Sequence, residues 1–202
     1  MSNTESAEVI LVGSELTSGD VDDVNGPFIA QKLLGLGIRV SKISIVGDHE
    51  WSIEEAINSA LKAIGTHLII VAGGLGPTSD DITSKIAAKV TGTRLVISNE
   101  ALEHIREIMA ARGKEMHPSQ ERQSLIPQKA VIINNPTGTA CAYKIHHKGK
   151  LLIFLPGVPK ELAKIFDDVL IPELKEELSV TSEIASKMFH TFGLSEMKVQ
   201  DM

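Results

Sequence analysis

Apolar residues along this 202-residue chain follow two alternating rhythms. Short runs rich in Val, Ile and Leu predict strands over 7–12, 38–46, 67–72, 130–134, 142–147 and 151–155. Between most of them the apolar positions recur at intervals of three and four, the mark of amphipathic helices. One helix starts at Asn25, read as its N-cap, and carries Phe28, Ile29, Leu33 and Leu34 on one face. Gly35 and Gly37 close it. A second, over 51–64, is expected to bury Trp51, Ile57, Leu61 and Ile64. Further helices are predicted over 81–90, 99–113 and, briefly, 119–125. A final one opens within Pro156-Gly157-Val158-Pro159 and reaches about Val169. The stretch from His147 to Lys150 suits a hairpin turn between two strands.

Strands alternating with helices predict an α/β fold, with a twisted, mostly parallel sheet covered by helices on both faces. The tail reads differently. A charged helical stretch over 173–180 precedes a strand over 183–192 (EIASKMFHTF) and a turn at Gly193 that opens another helix. So small a unit has too little surface for a core of its own. The expectation is therefore a main domain over 1–172, followed at 173–202 by the truncated start of a second domain or by an arm. Such an arm would dock on another copy of the chain, so a homo-oligomer is expected.

Composition narrows the function. The chain is 43% hydrophobic and 23% charged, ordinary for a globular protein. Its single cysteine, Cys141, leaves no disulfide framework and no cysteine-held metal cluster, which suits a reducing cytoplasm. The first ten residues hold Glu5 and Glu8 and no base, so a secretory signal is not expected. The longest apolar run, Leu68 to Gly76, falls well short of the roughly 20 residues a membrane span requires. A net charge of −6 and 3% aromatic residues argue against nucleic acid as a partner. A cytoplasmic protein with a small-molecule ligand is the expectation.

In open parallel sheets ligands bind beyond the carboxyl ends of the strands. Four loops follow strands here. They begin at Gly13-Ser14-Glu15, Gly47-Asp48-His49, Gly73-Gly74-Leu75-Gly76-Pro77-Thr78-Ser79-Asp80-Asp81 and Pro156-Gly157-Val158-Pro159-Lys160-Glu161. Each has a glycine and at least one carboxylate. Carboxylates gathered at one edge repel each other unless a cation shares the site. In the third loop, glycines permit close approach of backbone to ligand, and the following helix offers unpaired N–H groups, a seat for phosphate. No Gly-Lys-Ser/Thr follows, so it is not a P-loop, and the Rossmann spacing is missing as well. The competing reading is a tight turn in which Thr78, Ser79, Asp80 and Asp81 merely cap a helix. Glu15, Asp23, Asn25 and Asp48 read equally well as turn or capping residues. Lys160 lies in the first turn of its helix, where a cation opposes the dipole, which favours an anion-binding role. The seven histidines are scattered and lack metal-binding spacing.

Residues 73–83, Gly-Gly-Leu-Gly-Pro-Thr-Ser-Asp-Asp-Ile-Thr, resemble the signature of the CinA-like (competence/damage-inducible) proteins, within the MoaB/MogA-like molybdopterin-binding superfamily. Gly13-Ser14-Glu15-Leu16, Asp23-Val24-Asn25, Val46-Gly47-Asp48, Asn135-Pro136-Thr137-Gly138-Thr139-Ala140 and Leu155 to Leu162 extend the resemblance in order, over about residues 8–170. It implies a three-layer α/β/α domain that binds a nucleotide or pterin phosphate at the glycine-rich loop. For CinA-like domains it implies metal-dependent hydrolysis of ADP-ribose to AMP and ribose 5-phosphate. Two alternatives stay open: a molybdopterin adenylyltransferase, and a ligand-binding module without catalysis. By the same resemblance Asp48 and Asp81 are the expected catalytic residues, holding Mg2+, Mn2+ or Co2+ or orienting water. Gly73, Gly74, Gly76, Thr78 and Asp80 are expected around the phosphate. Glu15, Asn25, Pro156, Gly157, Lys160 and Thr83, the last read as a helix cap, stand in support. The deamidase domain that many CinA proteins carry is absent from this sequence, and that activity is not carried over. Where the family has Gly-Thr-Ala-Pro-Gly, this chain reads Gly138-Thr139-Ala140-Cys141-Ala142, without the Pro-Gly expected to shape a site-lining turn.

Overall fold

Strands apolar on both sides can only be stable between two layers of helix, and that is where they lie. A computed structural model describes residues 6–177, 192–193 and 197–198. The strands, in chain order, are β1 (Ser6–Val12), β2 (Arg39–Val46), β3 (Thr66–Ala72), β4 (Leu95–Ile97), β5 (Leu125–Pro127), β6 (Val131–Ile133), β7 (Ala142–His147) and β8 (Lys150–Leu155). The main sheet has the order β2-β1-β3-β8-β7-β6. β2, β1, β3 and β8 run parallel, whereas β7 and β6 complete the sheet through antiparallel pairings. β4 and β5 form a separate antiparallel pair.

The helices are α1 (Ser14–Ser18), α2 (Asn25–Gly35), α3 (Glu50–Lys62), α4 (Thr83–Thr91), α5 (Asn99–Ala111), α6 (Pro159–Ile165) and α7 (Ile171–Glu177). Alternation along the central strands sorts the core into two layers. Val9, Leu11, Ile70 and Ile153 face Ile29 and Leu33 of α2 and Leu162 and Ile165 of α6. Ile10, Ile69, Val71 and Phe154 face Ile53 and Ile57 of α3 and Ile86 of α4. The domain is thus a three-layer α/β/α sandwich around a mostly parallel sheet, as expected.

Several details differ from the sequence reading. Trp51 and Ile64 point outward, 69% and 103% exposed. The buried stripe of α3 is instead Ile53, Ile57, Ala60 and Leu61, a tighter three- and four-residue rhythm. Asn25 does not cap α2 with its side chain. The Asp23 carboxylate does so, accepting from the N–H groups of Asn25 (2.8 Å) and Gly26 (3.0 Å). The helix expected to reach Val169 and the charged helical stretch expected from 173 are both present but join without a break. A π-helical turn over Phe166–Leu170 leads into α7, which buries Leu174 in the first core layer. Pro172 lacks an N–H and its ring crowds the carbonyl four residues back, so a wider turn before it relieves the chain. The strand expected over 183–192 and the helix after it lie outside the described residues, apart from Phe192, Gly193 and the helical Met197 and Lys198. No helix among the described residues is long and apolar enough to cross a membrane.

Candidate functional site

β1 and β3 are neighbours, yet α2 after β1 and α4 after β3 pack on opposite faces of the sheet. The loops leaving the two strands therefore diverge and open a crevice, the topological switch point at which α/β sheets bind ligands. A cleft of about 600 Å3 lies there, within the usual range for a small-molecule site. All four glycine–acid loops contribute to its wall.

The loop after β3 is built on two glycines at φ 111° and 67°, Gly73 and Gly74. A Cβ on Gly73 would collide with the Val12 carbonyl oxygen, and one on Gly74 with the Thr83 hydroxyl. Close strand packing and a buried threonine thus both demand glycine, and the residues that follow, Gly74 to Gly76, line the cleft. Among the described residues, no acceptor in the protein takes the N–H groups of Gly74, Leu75 or Gly76. Successive free amides of this kind make an anion-binding concavity.

Asp81 does not cap α4, which starts two residues later. Its Oδ2 closes its own loop, accepting from the Thr78 N–H (2.8 Å) and the Thr78 hydroxyl (2.6 Å). Asp48 is held in a reciprocal pair with Ser14. Its Oδ2 accepts from the Ser14 N–H (2.7 Å), and its own N–H donates to Ser14 Oγ (3.1 Å). In both aspartates Oδ1 has no partner among the described residues. Both line the one cleft, together with Glu15, Asn25, Gly73, Gly74, Gly76, Thr78, Asp80, Pro156 and Gly157. Asn25, relieved of capping, donates through Nδ2 to the Gly157 carbonyl (2.8 Å) and ties α2 to the loop after β8.

Two expected site residues lie elsewhere. Lys160 is exposed on α6 and is not part of the cleft wall. Thr83 is fully buried beneath Gly74, and its hydroxyl has no partner. It is not a cap, since its side chain satisfies no helix N–H, whereas its backbone N–H donates to Gly74 O (3.1 Å). Cys141 and Ala142, where Pro-Gly was expected, are buried at the entry to β7 and do not line the cleft. Thr139 and Ala140 line it instead.

Three participants went unassigned in the sequence. Gln123 lines the cleft and donates to Leu75 O (3.3 Å), from a 3-10 turn far away in the chain, and no local signal marks it. Asn135 is wholly buried, and the Asn-Pro-Thr-Gly string was a legible turn signal for it. Glu161 lines the cleft from α6, where an acid in a first turn reads as ordinary dipole matching.

Charge is the most telling property of the wall. It carries seven carboxylates, those of Glu15, Asp22, Asp23, Asp48, Asp80, Asp81 and Glu161, and among the described residues no Lys, Arg or His. No three His, Cys, Asp or Glu side chains among the described residues converge on one point as a metal cluster would require. Mg2+-like ions, however, are commonly held by one or two carboxylates with substrate phosphates completing the shell. The free Oδ1 atoms of Asp48 and Asp81 fit that pattern.

Comparison with known proteins agrees with this fold. A family model described as "Probable molybdopterin binding domain" matches residues 8–176. A CinA-like protein of Geotalea uraniireducens is 42% identical over 188 residues, which is 93% of this chain and 44% of that protein. The chain thus spans less than half the length of the curated relatives it matches. Among solved structures, CinA of Thermoplasma acidophilum, described as of unknown function, superposes with a TM-score of 0.75 at 34% identity. That match covers 88% of this chain and 99% of the other. The molybdopterin biosynthesis enzyme MoaB of Thermus thermophilus shares the fold, with a TM-score of 0.59 at 20% identity over 86% of this chain and 94% of its own. From motif, fold and relatives together, the chain belongs to the probable molybdopterin binding domain family and, within it, to the CinA-like proteins.

Proposed function

We propose that this domain is a divalent-metal-dependent pyrophosphatase that cleaves ADP-ribose or a related nucleotide diphosphate into AMP and a sugar phosphate. The observation that carries the reading is the cleft's charge. Three free backbone N–H groups at Gly74, Leu75 and Gly76 offer a phosphate seat, while seven carboxylates and no cationic side chain surround it. A diphosphate would be repelled from such a wall unless a cation entered with it. Asp48 and Asp81 are the residues to hold that cation, through the oxygens their loops leave free. Once bound, Mg2+, Mn2+ or Co2+ offsets charge on the phosphate oxygens during P–O cleavage. The protein's own part is to seat one phosphate on the loop amides and fix the geometry with the Asp48–Ser14 and Asp81–Thr78 contacts.

The test is incubation of the full chain with ADP-ribose and Mg2+, Mn2+ or Co2+ in turn, with chromatography for AMP and ribose 5-phosphate. The expected result is AMP in equal amount to ribose 5-phosphate with at least one metal, and none in EDTA. No AMP with any of the three overturns the reading. The family's description favours a second reading, adenylylation of molybdopterin, for which ATP and molybdopterin together would release pyrophosphate. Binding of ADP-ribose without either reaction would make the domain a ligand-binding module.

A further inference from the structure

Glu161 is the one cleft carboxylate held by a buried side-chain amide. Asp81 and Asp23 accept from backbone N–H groups of their own loops, and Asp48 accepts from the Ser14 N–H and ties its loop to the one after β1. Glu161 caps nothing. The first α6 bond near it runs from the Leu162 N–H to the Val158 carbonyl. Its Oε2 accepts only from the side-chain amide of Asn135 (2.8 Å).

Asn135 in turn is fully buried and fixed on every side. Its Nδ2 also donates to Ala140 O (2.9 Å), and its Oδ1 accepts from the N–H groups of Thr137 (3.1 Å) and Gly138 (2.9 Å). The same short loop is anchored from α5 and the residue after it, where His104 Nε2 meets Gly138 O (2.9 Å) and Arg112 donates to Thr137 O (2.6 Å). Gly138 has ordinary backbone angles, yet any Cβ there would collide with the Glu161 carboxylate. The loop between β6 and β7 is therefore shaped around that carboxylate. Locking a functional side chain by packing and by a second ring of hydrogen bonds is what precise catalytic placement requires.

Resting on the hydrolytic reading above, we propose that Glu161 is the proton acceptor of the reaction. A water oxygen forms a bond to one phosphorus of the diphosphate, and one water proton passes to the Glu161 carboxylate. The bond from the attacked phosphorus to the bridging oxygen breaks. That oxygen leaves with the electron pair as part of the second phosphate. The remaining proton of the water is lost from the product phosphate to solvent, as is the one on Glu161. A role as third metal ligand beside Asp48 and Asp81 is not favoured, because no three such side chains among the described residues converge.

The experiment measures ADP-ribose hydrolysis by the full chain and by Glu161→Gln, Gly138→Ala and the double variant, with substrate and Mn2+ titrated for each. A glutamine keeps the acceptor for Asn135 and removes the basic oxygen. Glu161→Gln should lower kcat by a factor on the order of 10² or more, the scale of a lost general base. The KM for ADP-ribose and the half-saturating Mn2+ concentration should stay within about twofold, and Tm should hold, since no fold-closing contact is lost. Gly138→Ala should also lower kcat by displacing the carboxylate, and the double variant should be no worse than the poorer single one. Glu161→Gln with kcat within about threefold of the parent overturns the proposal while the hydrolytic reading stands. A rise of about tenfold or more in the Mn2+ requirement overturns it in favour of a metal ligand. A parent chain without hydrolysis refutes both.

Discussion

Asp81 carries two separable roles, closing its loop and lending a charge to the cleft, and the Asn and Ala variants divide them. Through Oδ2 it accepts two hydrogen bonds from Thr78, at 2.8 and 2.6 Å, in a half-buried position. Removing both with Asp81→Ala costs about 2 kcal/mol, at about 1 kcal/mol for each bond, because solvent screens the carboxylate in this half-exposed position. For a chain of this size that loss lowers Tm by roughly 4–8 °C. Asp81→Asn keeps an amide oxygen that can still accept from Thr78, so the cost drops to about 0.5 kcal/mol and Tm falls by roughly 1–2 °C. Activity should order the variants differently. Both lack the charge, so both should lose metal-dependent turnover by a factor on the order of 10² or more. Thermal melts and an AMP-release assay on the three proteins give the result. An Asn variant as active as the parent would refute the electrostatic role. An Asn variant as unstable as Ala would refute the account of the loop.

Three further outcomes follow from the structure. Gly73→Ala should cost about 2–5 kcal/mol, from a left-handed backbone plus a collision with the Val12 carbonyl, and should appear as a large Tm drop or as insoluble protein. Burial, reinforced by Lys148 and Lys129, holds the His147 imidazole below its usual value. The fold thus favours the neutral ring, and its contribution to stability is whole above about pH 6.5 and lost as the pH falls toward the depressed value. His147→Gln should therefore flatten the decline of Tm on the acid side of that point. Burial, with a smaller contribution from Glu100, pushes the Cys141 thiol up to about 12. A thiol reagent at about pH 8 should label the native chain more than tenfold slower than the chain in urea.

The central strands were legible because a fully buried parallel strand must be apolar on successive residues, and β1, β3 and β8 are. The shortest pieces were not. β4 and β5 have three residues each, too few to show alternation, and β5 begins at Leu125, the expected end of the short helix over 119–125. Trp51 was expected among the core positions of its helix, but α3 needs only the stripe around Ile53 and Ile57 to cover the sheet. At the site, the glycine–acid loops announced the cleft, since glycine and carboxylate sit within a few residues of each strand end. What the sequence hid was division of labour. Asp23 or Asn25 could each cap α2, and only the placement of Gly157 shows why Asn25 is released. Glu161 depends on Asn135 and Gly138, which are distant in the chain and brought to it by the β6–β7 loop.

A cleft lined with acids that nevertheless takes a phosphorylated ligand, together with a cation, is the core of the account. The most direct measurement is a crystal structure of the chain soaked with AMP and Mn2+, with anomalous scattering recorded for the metal. The account predicts a phosphate oxygen about 2.7–3.2 Å from the N–H groups of Gly74, Leu75 or Gly76. It also predicts a manganese peak joining that phosphate to the free oxygen of Asp48 or Asp81. A phosphate bound away from this loop, or manganese remote from both aspartates, would contradict it.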